Sequence, residues 1–78
     1  MNREEIQVVN ISQLNRFESG TEVTKDLLKE AGLIDSTTLK LKILAKGELD
    51  KVLVVKVDAF SVKAKTLIEE KGGKAEVL

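Results

Sequence analysis

Residues Lys42 to Gly72 read KILAKGELDKVLVVKVDAFSVKAKTLIEEKG, in which the end of a strand, a turn, a second strand and a capped helix follow one another. The first strand pattern runs from Leu39 to Leu44, with apolar residues on one face and lysines on the other, as a half-buried strand requires. After a turn at Gly47, the segment Val52–Val57 is the most apolar of the chain, which predicts a strand at the centre of a sheet.

The helix that follows is predicted from its cap and its apolar stripe. Ser61 is a favourable N-cap residue, and Gly72-Gly73 is a natural end. Its inward-facing stripe comprises Phe60, Ala64, Leu67 and Ile68. The last residues, Lys74 to Leu78, read as a final strand.

The upstream half contains weaker versions of the same signals. Ile6 to Val9 is predicted to be a strand, and Ser12 to Phe17 is predicted to form one or two helical turns with Ser12 as N-cap. Thr24 is predicted to cap a helix from Lys25 to Ala31, which ends at Gly32.

Strand and helix patterns alternate along the chain, and one theme occurs twice. Val23-Thr24 and Phe60-Ser61 each place an apolar residue before a hydroxyl cap, and a helix, a glycine and an extended segment follow. This order favours an α/β fold with a mostly parallel sheet over an antiparallel barrel. The chain has no proline and no linker-like segment, so we expect one small domain over residues 1–78.

Composition excludes most enzyme classes. The chain has no His, Cys, Tyr or Trp, so a Ser-His-Asp or Cys-His arrangement and a His- or thiolate-based metal site are impossible. We expect no catalytic residues, cofactor, metal ion or small-molecule substrate. No apolar run approaches membrane-spanning length and the start lacks a secretory signal, so the expected compartment is the cytosol.

The charge is distributed unevenly, and this bears on the kind of partner. Residues 1–35 carry four basic and seven acidic groups, whereas residues 36–78 carry nine and six. A basic surface favours nucleic acid, because neutralising phosphates dominates such binding. Phe17 and Phe60 lie in apolar stripes and are expected in the core, so basic side chains should contact phosphate and sugar. The candidates for RNA binding are Arg16, Lys40, Lys42, Lys46, Lys51, Lys56, Lys63 and Lys65; the alternative for each is a solvated surface position.

Several blocks in order resemble one protein family over nearly the whole chain. They are Val9–Phe17, Gly20–Thr24, Leu27–Ile34, the stretch from Lys42 to Gly72, and the closing Gly72–Leu78. Together they resemble the C-terminal globular domain of bacterial large-subunit ribosomal protein fifteen. The resemblance implies an irregular superhelix of strand-strand-helix units. It also implies a structural role in the cytoplasmic ribosome, with binding to large-subunit ribosomal RNA, contacts to neighbouring ribosomal proteins and support of subunit assembly.

The sequence departs from that family in three places. Family members carry a long N-terminal arm rich in glycine, arginine and lysine, but only about five residues precede the first predicted strand here. We therefore expect this chain to be the globular part of a longer protein that binds RNA weakly by itself. Lys25 replaces a frequent proline, and the segment Asp35–Thr38 replaces a more basic loop.

A second function remains open from the residues alone. The chain could be a cytosolic protein-interaction module without RNA binding, which would use an exposed strand edge or the helix face from Lys63 to Lys71. The two hypotheses differ in surface charge. RNA docking expects the lysines of the central segment to share one face, namely Lys40, Lys42, Lys46, Lys51 and Lys56.

Overall fold

The computed structural model describes residues 6–78, so the first five residues of the predicted domain lie outside the described part. The elements are β1 (Ile6–Asn10), a 3-10 helix (Ile11–Arg16), β2 (Glu22–Val23), α1 (Lys25–Glu30), β3 (Lys40–Leu44), β4 (Val54–Val57), β5 (Ala59–Phe60), α2 (Val62–Glu70) and β6 (Lys74–Val77). Within this range, neither the length nor the apolar character of any helix suffices to cross a membrane.

The strands form two three-stranded sheets. The first sheet has the order β1-β3-β5 and the second has the order β2-β4-β6. Every pairing is parallel. The prediction of a small α/β domain with parallel strands is thus confirmed, and the strands prove to be shared between two sheets. The central position predicted for β4 is also confirmed.

One continuous apolar core holds the elements together. The buried side chains are Val9, Ile11, Leu14, Val23, Leu28, Ile34, Leu41, Ile43, Leu49, Leu53, Val55, Val57, Ala64 and Ile68. Each large one contributes roughly 1.5–3 kcal/mol by leaving water. Of the predicted inward positions, Leu41 and Ile43 of β3 and Ala64 and Ile68 of α2 belong to this set. The predicted inward residues Leu67 and Phe60 pack against it as partly buried residues, as does Phe17. No polar side chain is buried in the described part of the chain.

Side-chain caps begin both α-helices as predicted. Thr24 Oγ1 accepts a hydrogen bond from Leu27 N–H at 3.3 Å, and Ser61 Oγ accepts one from Ala64 N–H at 3.1 Å. The cap predicted at Ser12 is wrong, because the 3-10 helix starts directly after β1 and its N-cap is Asn10. The Asn10 N–H is held by the side-chain oxygen of Gln13 at 2.8 Å, so Ser12 already lies inside the helix.

Two strands were not predicted, namely the two-residue strands β2 and β5. The bounds of β1, β3 and β6 differ from the predictions by one residue at one end, and β4 begins at Val54 rather than at Val52. Val52 is 43% exposed, and its backbone is bonded upstream instead. Its N–H donates to Ser19 Oγ at 3.2 Å, and its carbonyl accepts from Gly20 N–H at 2.7 Å. These bonds bring Val52 beside the segment before β2, where no ladder forms.

Two consecutive glycines connect α2 to β6, for different reasons. Gly72 has a φ of +91°, and a Cβ atom there would meet open space. Gly73 has no such φ, but a Cβ atom there would overlap the carbonyl oxygen of Leu53 and lie 3.0 Å from its nitrogen. The same carbonyl accepts the Lys74 N–H at 3.0 Å. The first glycine therefore permits the turn, and the second permits β6 to approach the chain before β4.

Candidate nucleic-acid interface

The outward face of the first sheet carries two of the candidate lysines. Parallel register pairs Ile6 with Lys40, Val8 with Lys42, and Lys42 with Ala59. Since side chains alternate along a strand, these residues share the face opposite the core, together with Asn10 and Leu44, which pair at the far end. We call this surface the open face; its residues are Ile6, Val8, Asn10, Lys40, Lys42, Leu44 and Ala59.

The open face combines exposed apolar side chains with positive charge. Ile6 is 51% exposed and Val8 is 49% exposed, although both belong to a regular strand. Lys40 is exposed and Lys42 is partly exposed on the neighbouring strand. None of the side chains that the described strands present on this face is a carboxylate. The face is therefore positive along β3 and apolar along β1.

A concave depression of about 460 Å³ opens at one end of this face. Its lining residues are Ile6, Lys40, Leu41, Lys42, Asp58, Ala59 and Leu78. Leu78 is 70% exposed and continues the apolar part of the surface. The depression is open to solvent rather than an enclosed cavity, because exposed side chains form much of its lining.

Asp58, which also lines the depression, has its charge balanced internally. Its carboxylate oxygen Oδ2 lies 2.7 Å from Lys25 Nζ and 2.9 Å from the Leu41 nitrogen, and it accepts a hydrogen bond from each. The Lys25 bond holds the pKa of Asp58 below its ordinary value, burial opposes this shift, and the Leu41 N–H lowers the pKa further. The carboxylate therefore ties α1 to β3.

Lys56 lies on the outward face of the second sheet in the opposite electrostatic setting. Its Nζ is 3.5 Å from Glu22 Oε1 on β2 and 3.6 Å from Glu76 Oε2 on β6. The central strand thus presents one lysine between two carboxylates from its neighbours. Such exposed pairs contribute little to stability, about 0–1 kcal/mol each, but they neutralise the local charge.

The remaining candidates lie outside the two sheet faces. Arg16 ends the 3-10 helix, Lys46 lies in the turn after β3, and Lys51 lies in the loop before β4. Lys63 and Lys65 are exposed on α2, which also carries exposed glutamates in its last turn. The structure therefore brings Lys40 and Lys42 together and places Lys56 on the other sheet. The expectation that the five central lysines share one face is wrong, because neighbouring strands of the sequence belong to different sheets. The role of all eight residues in RNA binding stays a prediction.

Two side-chain amides that the sequence analysis missed position the loops around the sheets. Gln7 Nε2 donates to Ser36 O at 2.8 Å, and its Oε1 accepts from Asp35 N–H and Ser36 N–H at 2.8 and 3.1 Å. Asn15 Nδ2 donates to Glu48 O at 2.8 Å, and Asn15 Oδ1 accepts from Asp50 N–H at 2.7 Å.

The only sequence signal for the hydrogen bonds of Gln7 was an amide side chain at an inward position of a strand. Gln7 alternates with Ile6 and Val8 and so faces the same side as buried Val9. A polar group there needs hydrogen-bond partners. The loop that it holds is the segment Asp35–Thr38, whose internal bond between Ser36 Oγ and Thr38 Oγ1 is 2.8 Å long. The loop is thus fixed by uncharged groups.

Comparison with known protein families matches almost all of the described chain. A family model described as "Ribosomal proteins 50S-L15, 50S-L18e, 60S-L27A" matches residues 8–76. This range begins within β1 and ends within β6, so the match includes both sheets and both α-helices.

Proposed function

The chain belongs to the family of ribosomal proteins 50S-L15, 50S-L18e and 60S-L27A, and from this membership we propose that it binds large-subunit ribosomal RNA. Membership gives it a structural, non-enzymatic role in the large ribosomal subunit and in translation. The proposed contacts are made by lysine and arginine side chains to phosphates. By holding RNA segments in place, these contacts would support assembly of the subunit.

Beyond family membership, the proposal is supported by the position of two candidate lysines on one sheet face. The first sheet presents Lys40 and Lys42 on a face where no described strand residue is a carboxylate. Phosphate contacts of this kind position a protein on RNA without reading bases. The two phenylalanines pack against the core, so neither forms an exposed platform for base stacking. Recognition by this domain would therefore depend on the shape and charge of the RNA.

The remaining predictions follow from the same role. We propose that residues 1–78 act as one domain of a cytoplasmic ribosomal protein. Its partners would be large-subunit ribosomal RNA and neighbouring ribosomal proteins, without a cofactor. The parallel strands and the shared core support this reading, because they join the first described residues to the last ones in one packed unit.

The test is a titration of the isotope-labelled chain with purified large-subunit ribosomal RNA at several salt concentrations. Each phosphate that the protein neutralises is expected to contribute about −0.7 to −0.9 to the slope of log affinity against log salt concentration. We expect saturable binding that weakens steeply as salt rises. Absence of saturable binding at low salt, or an affinity that does not change with salt, would refute phosphate-mediated RNA binding.

A further inference from the structure

We propose that β6 is a self-complementary edge strand, through which two copies of this chain pair in antiparallel orientation. β6 is the last strand of the second sheet, in the order β2-β4-β6, so β4 occupies only one of its two edges. The occupant of the other edge is a second copy of the chain. The contact joins two three-stranded sheets into one sheet of six strands, and it does not involve RNA.

The backbone of β6 presents hydrogen-bonding groups on its unoccupied edge. Lys74 N–H donates to the carbonyl oxygen of Leu53 at 3.0 Å, so the peptide groups of Lys74 face the chain that leads into β4. Since residues of a parallel strand face its two neighbours alternately, the peptide groups of Ala75 and Val77 point away from β4. Val77 is 65% exposed, which agrees with an edge that is open to solvent. Such an edge is a template for another strand.

The outward face of the second sheet carries charges that alternate in sign up to this edge. Lys56 Nζ lies 3.5 Å from Glu22 Oε1 and 3.6 Å from Glu76 Oε2, so the row from β2 to β6 is negative, positive and negative. Lys74 shares this face, but its registered neighbour is Val54, and it makes no ion pair in the described part of the chain. At the free edge, one row therefore lacks a cation beside Glu76 and the other lacks an anion beside Lys74.

A second copy supplies both missing charges in one antiparallel register. When Ala75 lies opposite Ala75 of the second copy, these residues exchange N–H···O bonds, and Lys74 of each copy faces Glu76 of the other. Directly opposite side chains of this kind have Cβ atoms about 4.5–5.5 Å apart, and opposite charges there stabilise the pairing. A shift by two residues in either direction places Glu76 opposite Glu76 or Lys74 opposite Lys74. Like charges therefore disfavour the neighbouring registers.

The short length of β6 determines how strong this pairing should be. The strand has four residues, so the contact is much smaller than the interface of a stable dimer. We therefore expect weak self-association that becomes measurable at high protein concentration. Because the ion pairs lie on an exposed face, added salt should weaken the association further.

The decisive experiment mixes two charge-reversed variants. In homodimers, Lys74→Glu places glutamates opposite each other and Glu76→Lys places lysines opposite each other. Each variant alone should self-associate about tenfold more weakly than the unchanged chain, because two favourable charge pairs become repulsive. An equimolar mixture restores opposite charges in both pairs and should form heterodimers about as readily as the unchanged chain forms homodimers. Sedimentation equilibrium at several protein concentrations measures each association.

Two exposed positions of α2 provide matched controls. Lys65→Glu and Glu69→Lys change the net charge by the same amounts as the test variants, but they lie outside the edge of β6. Each control should self-associate like the unchanged chain, and mixing the two should change nothing. Urea unfolding verifies that every variant retains the fold, which matters because Glu76→Lys also removes the ion pair with Lys56.

NMR spectra of the unchanged, isotope-labelled chain test the same edge without any substitution. As the protein concentration rises, the amide shifts of Ala75 and Val77 should change most, because their N–H groups enter the new hydrogen bonds. Shifts that centre on another part of the chain would assign the association to a different surface and refute pairing through β6.

Each outcome of the mixing experiment decides the inference. Weakened association of both test variants, restored by mixing, would support it. Association that is equal in test and control variants, or that mixing does not restore, would refute it. An unchanged chain that stays monomeric at millimolar concentration would also refute it and would leave the edge of β6 to a strand of another protein. None of these measurements contains RNA, so a negative result leaves the proposed function standing.

Discussion

Replacing either of two adjacent glycines with alanine should destabilise the fold by clearly different amounts. At Gly72 the added methyl group meets open space, and the only cost is the positive φ of +91°, about 1–2 kcal/mol. Reduced freedom of the unfolded chain offsets about 0.4–1 kcal/mol of this cost. The net loss in the free energy of unfolding should be about 1 kcal/mol.

At Gly73 the added methyl group collides with backbone atoms that cannot rotate away. It would overlap the Leu53 carbonyl oxygen, which also accepts the Lys74 N–H. Overpacking of this kind costs typically about 1–3 kcal/mol, and weakening the hydrogen bond adds about 1 kcal/mol. We therefore expect Gly73→Ala to destabilise the chain by about 2–4 kcal/mol through displacement of β6 from β4.

Urea unfolding and thermal unfolding, both followed by far-UV circular dichroism, measure the stability of the two variants, because the chain has no Trp or Tyr for fluorescence. A domain of this size loses roughly 4–8 °C in Tm per kcal/mol, so Gly73→Ala should melt about 10 °C below Gly72→Ala. Gly72→Asn should recover part of the loss, since asparagine tolerates positive φ, while Gly73→Asn should not. A Gly73→Ala variant that is as stable as Gly72→Ala would show that β6 does not pack against Leu53 as described.

Other predictions concern the ion pair between Lys25 and Asp58, the hydrogen bonds of Gln7 and the apolar core. Because the pKa of Asp58 is lowered in the folded state, its carboxylate stabilises the fold at pH values above its unfolded-state pKa of about 4. This contribution is lost as the pH falls through the folded-state pKa. Asp58→Asn should remove that part of the pH dependence of the free energy of unfolding, as measured by urea unfolding. Lys25→Met should raise the pKa of Asp58 in an NMR titration, and an unchanged pKa would contradict the assigned cause. Gln7→Ala should lower the free energy of unfolding by about 1–3 kcal/mol and speed amide hydrogen exchange in the segment Asp35–Thr38. Slow exchange in that segment would show that other groups fix the loop. Ile68→Ala should cost about 2–5 kcal/mol, while Val62→Ala, at an 85% exposed position of the same helix, should change stability by less than about 0.5 kcal/mol; similar costs would refute the assigned helix face.

Local patterns predicted those parts of the fold that depend on neighbours in sequence. The alternation around Leu41 and Ile43 identified β3 and its buried face, and Ser61 identified the start of α2. Thr24 did the same for α1. In each case the signal in the sequence, either an alternation of apolar residues or an N-cap, involves residues that are close together in the chain.

Features that depend on pairing between strands far apart in sequence were not predicted. The strand β2 consists of two residues, Glu22 and Val23, which is too short for a period, and it is a strand only because Val54 and Val55 lie beside it. The alternation of strands between two sheets is likewise set by packing of the whole chain. No local pattern states which strands will be neighbours.

The charges that surround each candidate lysine also could not be predicted from the local sequence. Lys42 and Lys56 are both lysines within apolar strands, and the sequence alone gave them equal standing as RNA contacts. What distinguishes them is that β2 and β6 bring Glu22 and Glu76 to Lys56 from distant parts of the chain. The charges around a strand residue are determined by the residues of the neighbouring strands in its sheet.

The interleaving of the two sheets has a consequence for the folding kinetics. Ile6 pairs with Lys40 and Glu22 pairs with Val54, so β1 has no partner until β3 has been synthesised, and β2 has none until β4 has been synthesised. Since each pairing is parallel and none closes a hairpin, loop-closure entropy is lost before any ladder forms. Folding should take about milliseconds to seconds, slower than a helical bundle of this size. During translation, the nascent N-terminal half would leave Ile6 and Val8 on an unpaired strand, so premature release of a truncated chain should favour aggregation.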